Sequence, residues 1–489
     1  MTDAEKHPPH SRHWLVLGVI GLAQLMIVLD VSIVNIALPD AQKDLGFSNG
    51  DRQWVVTAYS LAFGSLLLLS GRISDLVGQR RTFLVGLGVF AVASLLGGLS
   101  PTFAILVLAR ALQGAAGAIL APAALSLLTT TFTEPRERAT AFAVFGGIAG
   151  SGAAIGLLLG GVLTEYLSWR WTLFVNVAIS VIAVAGALAL IPRQREATKR
   201  SRLDLIGAAL ISSGLFCVVY GFSNVESHPW STPSTWGFLA VGVALIAGFV
   251  WWQTRAPSPL LPLRVLRDRN RGGSFLAVFI VGVGTFGVFL FLTYYLQEIL
   301  HYSPVKTGLA FLPLVAALML ASTASNIRLL PRFGPRILAA SGMLIACGGL
   351  VWLTRISLHS TYTADILGPL LLVGLGIGSV MAPSMNTATA GVRPGDAGVA
   401  SATVQTMQQV GGSIGTALLN SLAASALTSY LVGRPPTPVN QANAAIHSYI
   451  TAFIWTASIF AAGAVICGLL LRPGPPAAAD PNAAPATAG

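Results

Sequence analysis

Two ionisable residues interrupt apolar sequence, and they are the first place to look for chemistry. Asp30 falls inside the run 14–38 and Arg110 inside the run 102–130. A charge held in hydrocarbon costs about 3 kcal/mol or more, so such a residue is a functional candidate by default. Asp30 lies nine residues before Pro39, and Arg110 eight residues after Thr102. At about 1.5 Å per helical residue, both sit roughly 12–14 Å from the same ends of their helices. They are expected to face each other at one depth across a central cavity, with Gln113 a turn deeper. An aspartate beside an arginine has two readings. It carries a proton if substrate or a conformational change moves the arginine, or it is a static pair tying two helices together.

Further constellations follow. The segment Gly71-Arg72-Ile73-Ser74-Asp75-Leu76-Val77-Gly78-Gln79-Arg80-Arg81 joins two apolar runs. Gly71 and Gly78 permit a tight turn, and Asp75 can cap a helix start or pair with Arg80 or Arg81. In the run 139–163, Gly152, Gly156 and Gly160 recur every four residues, with Gly161 beside them. That spacing lines one helix face and lets a second backbone come close. Asn35, Tyr59, Gln113, Tyr294, Tyr295, Asn386, Gln405 and Gln409 are candidates for lining a cavity. Each alone suits a helix–helix hydrogen bond or an interface anchor equally well.

The elements that must position these residues are membrane helices. Of 489 residues, 54% are hydrophobic and 10% charged; a soluble domain carries about 25% charged residues. Apolar runs of the length that crosses a bilayer predict fourteen helices. They lie at 14–38, 53–71, 82–100, 102–130, 139–163, 171–191, 204–222, 236–253, 273–298, 307–326, 336–355, 366–390, 399–425 and 449–471. Lys and Arg divide 22 to 6 between alternate connections, with Arg110 left inside a span. The positive-inside rule then places both termini in the cytoplasm of a cell-membrane protein. The net charge of +11 is spread over these short connections, which argues against a nucleic-acid partner.

The chain is expected to divide into a cytoplasmic N-terminal tail (1–13), a six-helix bundle (14–191), a linker holding two extra helices (192–272), a second six-helix bundle (273–471) and a disordered Pro- and Ala-rich tail (472–489). The first apolar run is too long, and lacks the small-residue cleavage site, for a signal peptide. A 6 + 2 + 6 division, with two similar halves around a central site, is a recurrent transporter plan.

These motifs resemble a known family. Gly71 to Arg81 is similar to the signature loop of the major facilitator superfamily. Five further stretches resemble its fourteen-span drug:proton antiporter family: Leu29 to Pro39 in the first helix, Arg110-Ala111-Leu112-Gln113-Gly114 in the fourth, Gly152 to Gly161 in the fifth, Tyr295-Leu296-Gln297 followed by Ser303-Pro304, Gly308 and Pro313, and Gly411-Gly412-Ser413-Ile414-Gly415 in the thirteenth. The resemblance implies proton-linked roles for Asp30 and Arg110, a latch at the signature loop and a fifth helix that bends as a seal between the halves. The chain departs from the pattern at Leu157 and at Ala178, where the family commonly has proline. Helix five must then bend through its glycines alone. Arg328 to Arg336, with Arg332-Phe333-Gly334, is either a worn second copy of the signature loop or a basic turn.

No G-x-x-x-x-G-K-[ST] loop and no H-E-x-x-H helix occurs in the sequence, so neither ATP nor a zinc site is expected to drive it. Cys217, Cys347 and Cys467 lie in apolar runs and read as packing residues. The expectation is an all-α integral membrane transporter of the major facilitator fold. It is expected to be monomeric, without a cofactor and not an enzyme, exchanging small amphipathic drugs for protons. The alternatives are a dedicated exporter of one metabolite or lipid, or a non-transporting receptor.

Overall fold

A computed structural model describes residues 10–47, 49–192, 204–224, 232–257, 259–393, 396–435 and 437–474. Among these residues, fourteen α-helices have twenty residues or more. The first six are α1 (His10–Leu45), α2 (Asn49–Val77), α3 (Gln79–Gly98), α4 (Phe103–Thr131), α5 (Pro135–Tyr166) and α6 (Trp171–Leu190). Then come α7 (Leu205–Asn224) and α8 (Pro233–Gln253). The last six are α9 (Arg269–Tyr294), α10 (Pro304–Ala324), α11 (Leu330–Leu353), α12 (Leu367–Thr389), α13 (Ala397–Leu431) and α14 (Pro438–Leu470). A short helix, Leu263–Arg267, precedes α9. Among the described residues, twelve helical stretches are long and apolar enough to cross a membrane, and one of them, Val305–Leu353, holds both α10 and α11.

Several helices overrun their apolar runs. The hydrophobic stretch sets what lies in hydrocarbon, but the backbone ladder continues until a residue stops it. Gly46 does so after α1 with φ 69°, and Gly433 after α13 with φ 74°, the left-handed stop that glycine adopts most readily. Starts are set by side chains that accept a free N–H. Thr102 accepts from Ile105, Asp204 from Gly207 and Ser303 from Lys306.

The packing repeats with an offset of eight helices. In the first bundle α1 packs on α5 and α6, α2 on α4, and α3 on α4 and α6. In the second α9 packs on α13 and α14, α10 on α12, and α11 on α12 and α14. The two bundles meet along α2–α13 and α5–α10, which the same offset relates. α7 lies against α2 and α13, and α8 packs on α7. The turns at Gly78 (φ 100°) and Gly334 (φ 74°) obey the offset too. A shared left-handed glycine favours reading Arg328 to Arg336 as a second copy of the signature loop.

The peptide between α8 and α9 departs from the linker expected there. Leu260, Leu261 and Val265 are buried, and Arg264 forks onto Asp396 at 2.9–3.2 Å. Residues 193–203, and the tails at 1–9 and 475–489, lie outside the described residues.

Candidate functional site

Asp30, Arg110, Gln113 and Asn176 come from α1, α4, α4 and α6, and at most 1% of any of them is exposed. Arg110 donates from one NH to Asp30 Oδ2 at 2.5 Å and to Gln113 Oε1 at 2.9 Å. Its Nε donates to the Val55 carbonyl at 3.1 Å, and its guanidinium lies 4.5 Å from the Tyr59 ring centre. The other carboxylate oxygen, Asp30 Oδ1, accepts from Gln113 Nε2 at 3.0 Å and from Asn176 Nδ2 at 2.7 Å. Gln113 Nε2 also donates to Ser94 Oγ at 2.8 Å. Both carboxyl oxygens of Asp30 are therefore engaged, as a pair this deep requires. The pair forms at one depth, as the spacing predicts.

Its surroundings differ from expectation. The cluster sits among α1, α2, α3, α4 and α6, within the first bundle, and not across a cavity between halves. Gln113 and Tyr59 belong to this interior. A void of about 10 Å³, room for one water, adjoins it at Arg110. Val34, Leu38, Val55, Leu106 and Trp169 line it, and Arg110 borders it. Trp169 donates to Asp44 at 3.0 Å, and Arg170 bonds both Asp44 and the Ser100 carbonyl. Arg170, with Trp169, holds the Asp44 carboxyl below the usual carboxylate range.

The glycine stripe of α5 is also used differently. Cβ atoms on Gly152 and Gly160 would stand 2.7 Å from Val28 and 2.9 Å from Ile33, and one on Gly156 would run into Ser32. All three partners are on α1, so the stripe seats α1 beside Asp30 within one bundle. The neighbouring face of α5 meets the second bundle, through Gly161 against Val305 and Gly147 against Met319. The Leu157 side chain lies outside the described residues, as does that of Asn35.

At the signature-loop end, Asp75 caps the start of α13 in the other bundle. Its carboxylate accepts from Gly398 N–H at 2.8 Å and Val399 N–H at 3.2 Å, where the helix dipole favours an anion. Gly71 and Gly398 let the backbones touch, since a Cβ on Gly71 would stand 2.6 Å from the Gly398 carbonyl. Arg80 donates to the Leu188 carbonyl of α6 at 3.2 Å, and Arg81 is exposed. A second clasp joins α5 to α12: Arg138 donates to Asn386 and Thr389, both at 3.0 Å.

The remaining cavity candidates scatter. Asn386 belongs to the clasp just described. Tyr295 is fully buried and donates to the Ser357 carbonyl at 2.7 Å. Tyr294 is 39% exposed beside Tyr449. Gln405 is buried and Gln409 half-buried on α13. Asn176, Ser94, Arg138 and the Arg264–Asp396 pair are contacts that sequence reasoning missed. Asp204, which caps α7, also accepts from Trp252 and Gln253 at 2.9 Å. Burial works to raise its affinity for a proton, but the bonds from Gly207, Trp252 and Gln253 outweigh it and hold its pKa below the ordinary value.

The family model described as Major Facilitator Superfamily matches residues 20–416. The chain is 48% identical to a puromycin resistance protein of Streptomyces alboniger, over 95% of this chain and 92% of that one. It is 40% identical to a cephamycin export protein of Amycolatopsis lactamdurans, over 82% and 83% respectively. It is 34% identical to a tetracenomycin C resistance and export protein of Streptomyces glaucescens, over 86% and 78%. The fold is similar to the crystal structure of the human organic anion transporter MFSD10, with a TM-score of 0.64 and 18% identity, covering 94% of this chain and 100% of that one. With its apolar helices, this match over most of the chain makes it a multi-pass membrane transporter, not an enzyme, and a member of the major facilitator superfamily.

Proposed function

We propose that the protein exports antibiotic-like small molecules across the cell membrane in exchange for protons. The carrying observation is the closed cluster around Asp30. A proton taken up there cancels the carboxylate and leaves Arg110 as an uncompensated charge in the bundle core. Such a charge is costly, so protonation supplies a drive to rearrange α1 against α4. In this reading all fourteen long helices cross the membrane, as 6 + 2 + 6, with both termini cytoplasmic and the monomer as the working unit. The halves rock about the α2–α13 and α5–α10 seams. The Asp75 and Arg138 clasps hold the cytoplasmic end shut while the outer end opens. Substrate occupies space between the halves and does not touch the Asp30 cluster.

The test uses everted membrane vesicles and puromycin, the compound named for the relative at 48% identity. Wild-type vesicles are expected to accumulate it under an inwardly acid gradient and to lose it when the gradient is collapsed. Asp30→Asn is expected to abolish gradient-driven uptake, and full uptake by that variant sinks the proposal. Five of the relatives are named for one compound each, among them lincomycin, which favours a narrow exporter over a broad one. A competition panel of puromycin, tetracenomycin C and lincomycin separates the two, since a narrow exporter yields to one competitor only.

A further inference from the structure

We propose that Asn176 is a positioning residue that reads the charge state of Asp30 by exchanging its amide nitrogen for its amide oxygen. The inference rests on the proton-coupling reading and deepens it. With Asp30 ionised, Asn176 Nδ2 donates to Oδ1 at 2.7 Å. The amide's own oxygen is shut away from solvent and has no hydrogen-bond partner among the described residues. A buried acceptor left empty needs an explanation, and proton binding supplies one. When a proton arrives on Asp30 Oδ1, that oxygen becomes a donor and the facing Nδ2 no longer has an acceptor. The last side-chain torsion of asparagine is broad and roughly two-fold. Turning it over brings the idle Oδ1 to accept the new O–H, and no existing bond of that oxygen is lost.

Gln113 cannot play this part. Its oxygen accepts from Arg110 at 2.9 Å, and its nitrogen donates to both Asp30 at 3.0 Å and Ser94 at 2.8 Å. Turning it over would break the bond from Arg110 and aim nitrogen at guanidinium. The cluster thus has one fixed amide and one reversible amide. The titratable groups facing Asp30 are Arg110 from α4 and, stacked on that guanidinium, Tyr59 from α2. The other elements packed there present Ser94 from α3, Gly152 and Gly156 from α5, and Ser180 from α6, none of which titrates. The same four side chains therefore hold net zero charge before the proton and one positive charge after it. Asn176 is the member that satisfies the carboxyl in both states.

The test needs no transport measurement. Protein reconstituted in liposomes is treated over a pH series with a hydrophobic carbodiimide, which modifies the protonated carboxyl, and the adduct on the Asp30 peptide is quantified by mass spectrometry. Asn176→Leu keeps the shape and loses both hydrogen-bonding faces. It is expected to move the midpoint by about one pH unit, a tenfold change in proton affinity, because the ionised carboxylate loses a charge-assisted donor and the acid only a neutral acceptor. Asn176→Gln keeps a two-faced amide and is expected to titrate close to the wild type. A leucine midpoint equal to the wild type overturns the inference, as does a glutamine variant shifted as far as the leucine one. If the leucine variant does not assemble, Asn176→Ala is read by the same criteria. A wild-type adduct that never varies with pH fails the proton reading itself, a different outcome from either of these.

Discussion

Among the described residues, Asp30 and Arg110 are each other's only opposite charge in the cluster, and both are buried. Removing one partner of such a pair strands the other and costs about 3–5 kcal/mol, whereas removing both is often close to neutral. Arg110→Leu is therefore expected to destabilise the purified protein by that amount in thermal or denaturant unfolding. The double variant Asp30→Asn with Arg110→Leu is expected to recover most of the loss, and additive losses would falsify the coupled-pair account. This pair was legible in the sequence, because an embedded charge is too expensive to be incidental and because equal depths can be counted from helix ends. Asn176 was not legible. A neutral amide in a membrane helix has many uses, and the face it presents depends on how α6 is rotated against α1. The cavity candidates Tyr59, Gln113, Tyr295 and Asn386 misled for the same reason. Polarity shows that a residue avoids lipid, not which interior it enters.

At the scale of elements, the α1–α5 contact determines how firmly Asp30 is held. An added Cβ at Gly156 meets Ser32 and, at 3.1 Å, the Leu29 carbonyl. A helix carbonyl cannot yield as a side chain does, so α1 must shift. Gly156→Ala is expected to cost about 1–3 kcal/mol by overpacking. Gly161→Ala faces only a Val305 methyl at 3.3 Å and is expected to cost clearly less, and unfolding midpoints of the two variants decide it. Equal losses would show that the α1 seat is no tighter than the seam between bundles. The sequence announced the stripe but not its partner: a four-residue period defines a face, and several neighbours can fill it. In the same way, Asp75 was recognised as a capping residue, but the helix it caps begins more than 300 positions later.

At the scale of the whole molecule, the pairings repeated at an offset of eight leave α7 and α8 as the pair outside the repeat. If all fourteen long helices cross the bilayer, reporter enzymes fused after successive helices must alternate between the two sides. Fusions at the two ends of the chain are expected to report the cytoplasm. A break in that alternation around α7 and α8 would overturn the 6 + 2 + 6 arrangement. The all-helical architecture was legible because hydrophobic length is a one-dimensional property, and the left-handed Gly78 and Gly334 were legible as turns.

The buried peptide between α8 and α9 was not anticipated. Its arginines look like ordinary cytoplasmic charge until Asp396 is placed beside Arg264. That pairing matters to anyone rebuilding the chain. Asp396 precedes the two N–H groups that Asp75 grips, and its counter-charge arrives on the strand of polypeptide leaving α8. The α7–α8 hairpin is therefore not a detachable cassette. An engineer who excises it to make a twelve-helix transporter removes the wedge against α2 and α13, and must also supply a new cation for a 5% exposed carboxylate beside the Asp75 contact.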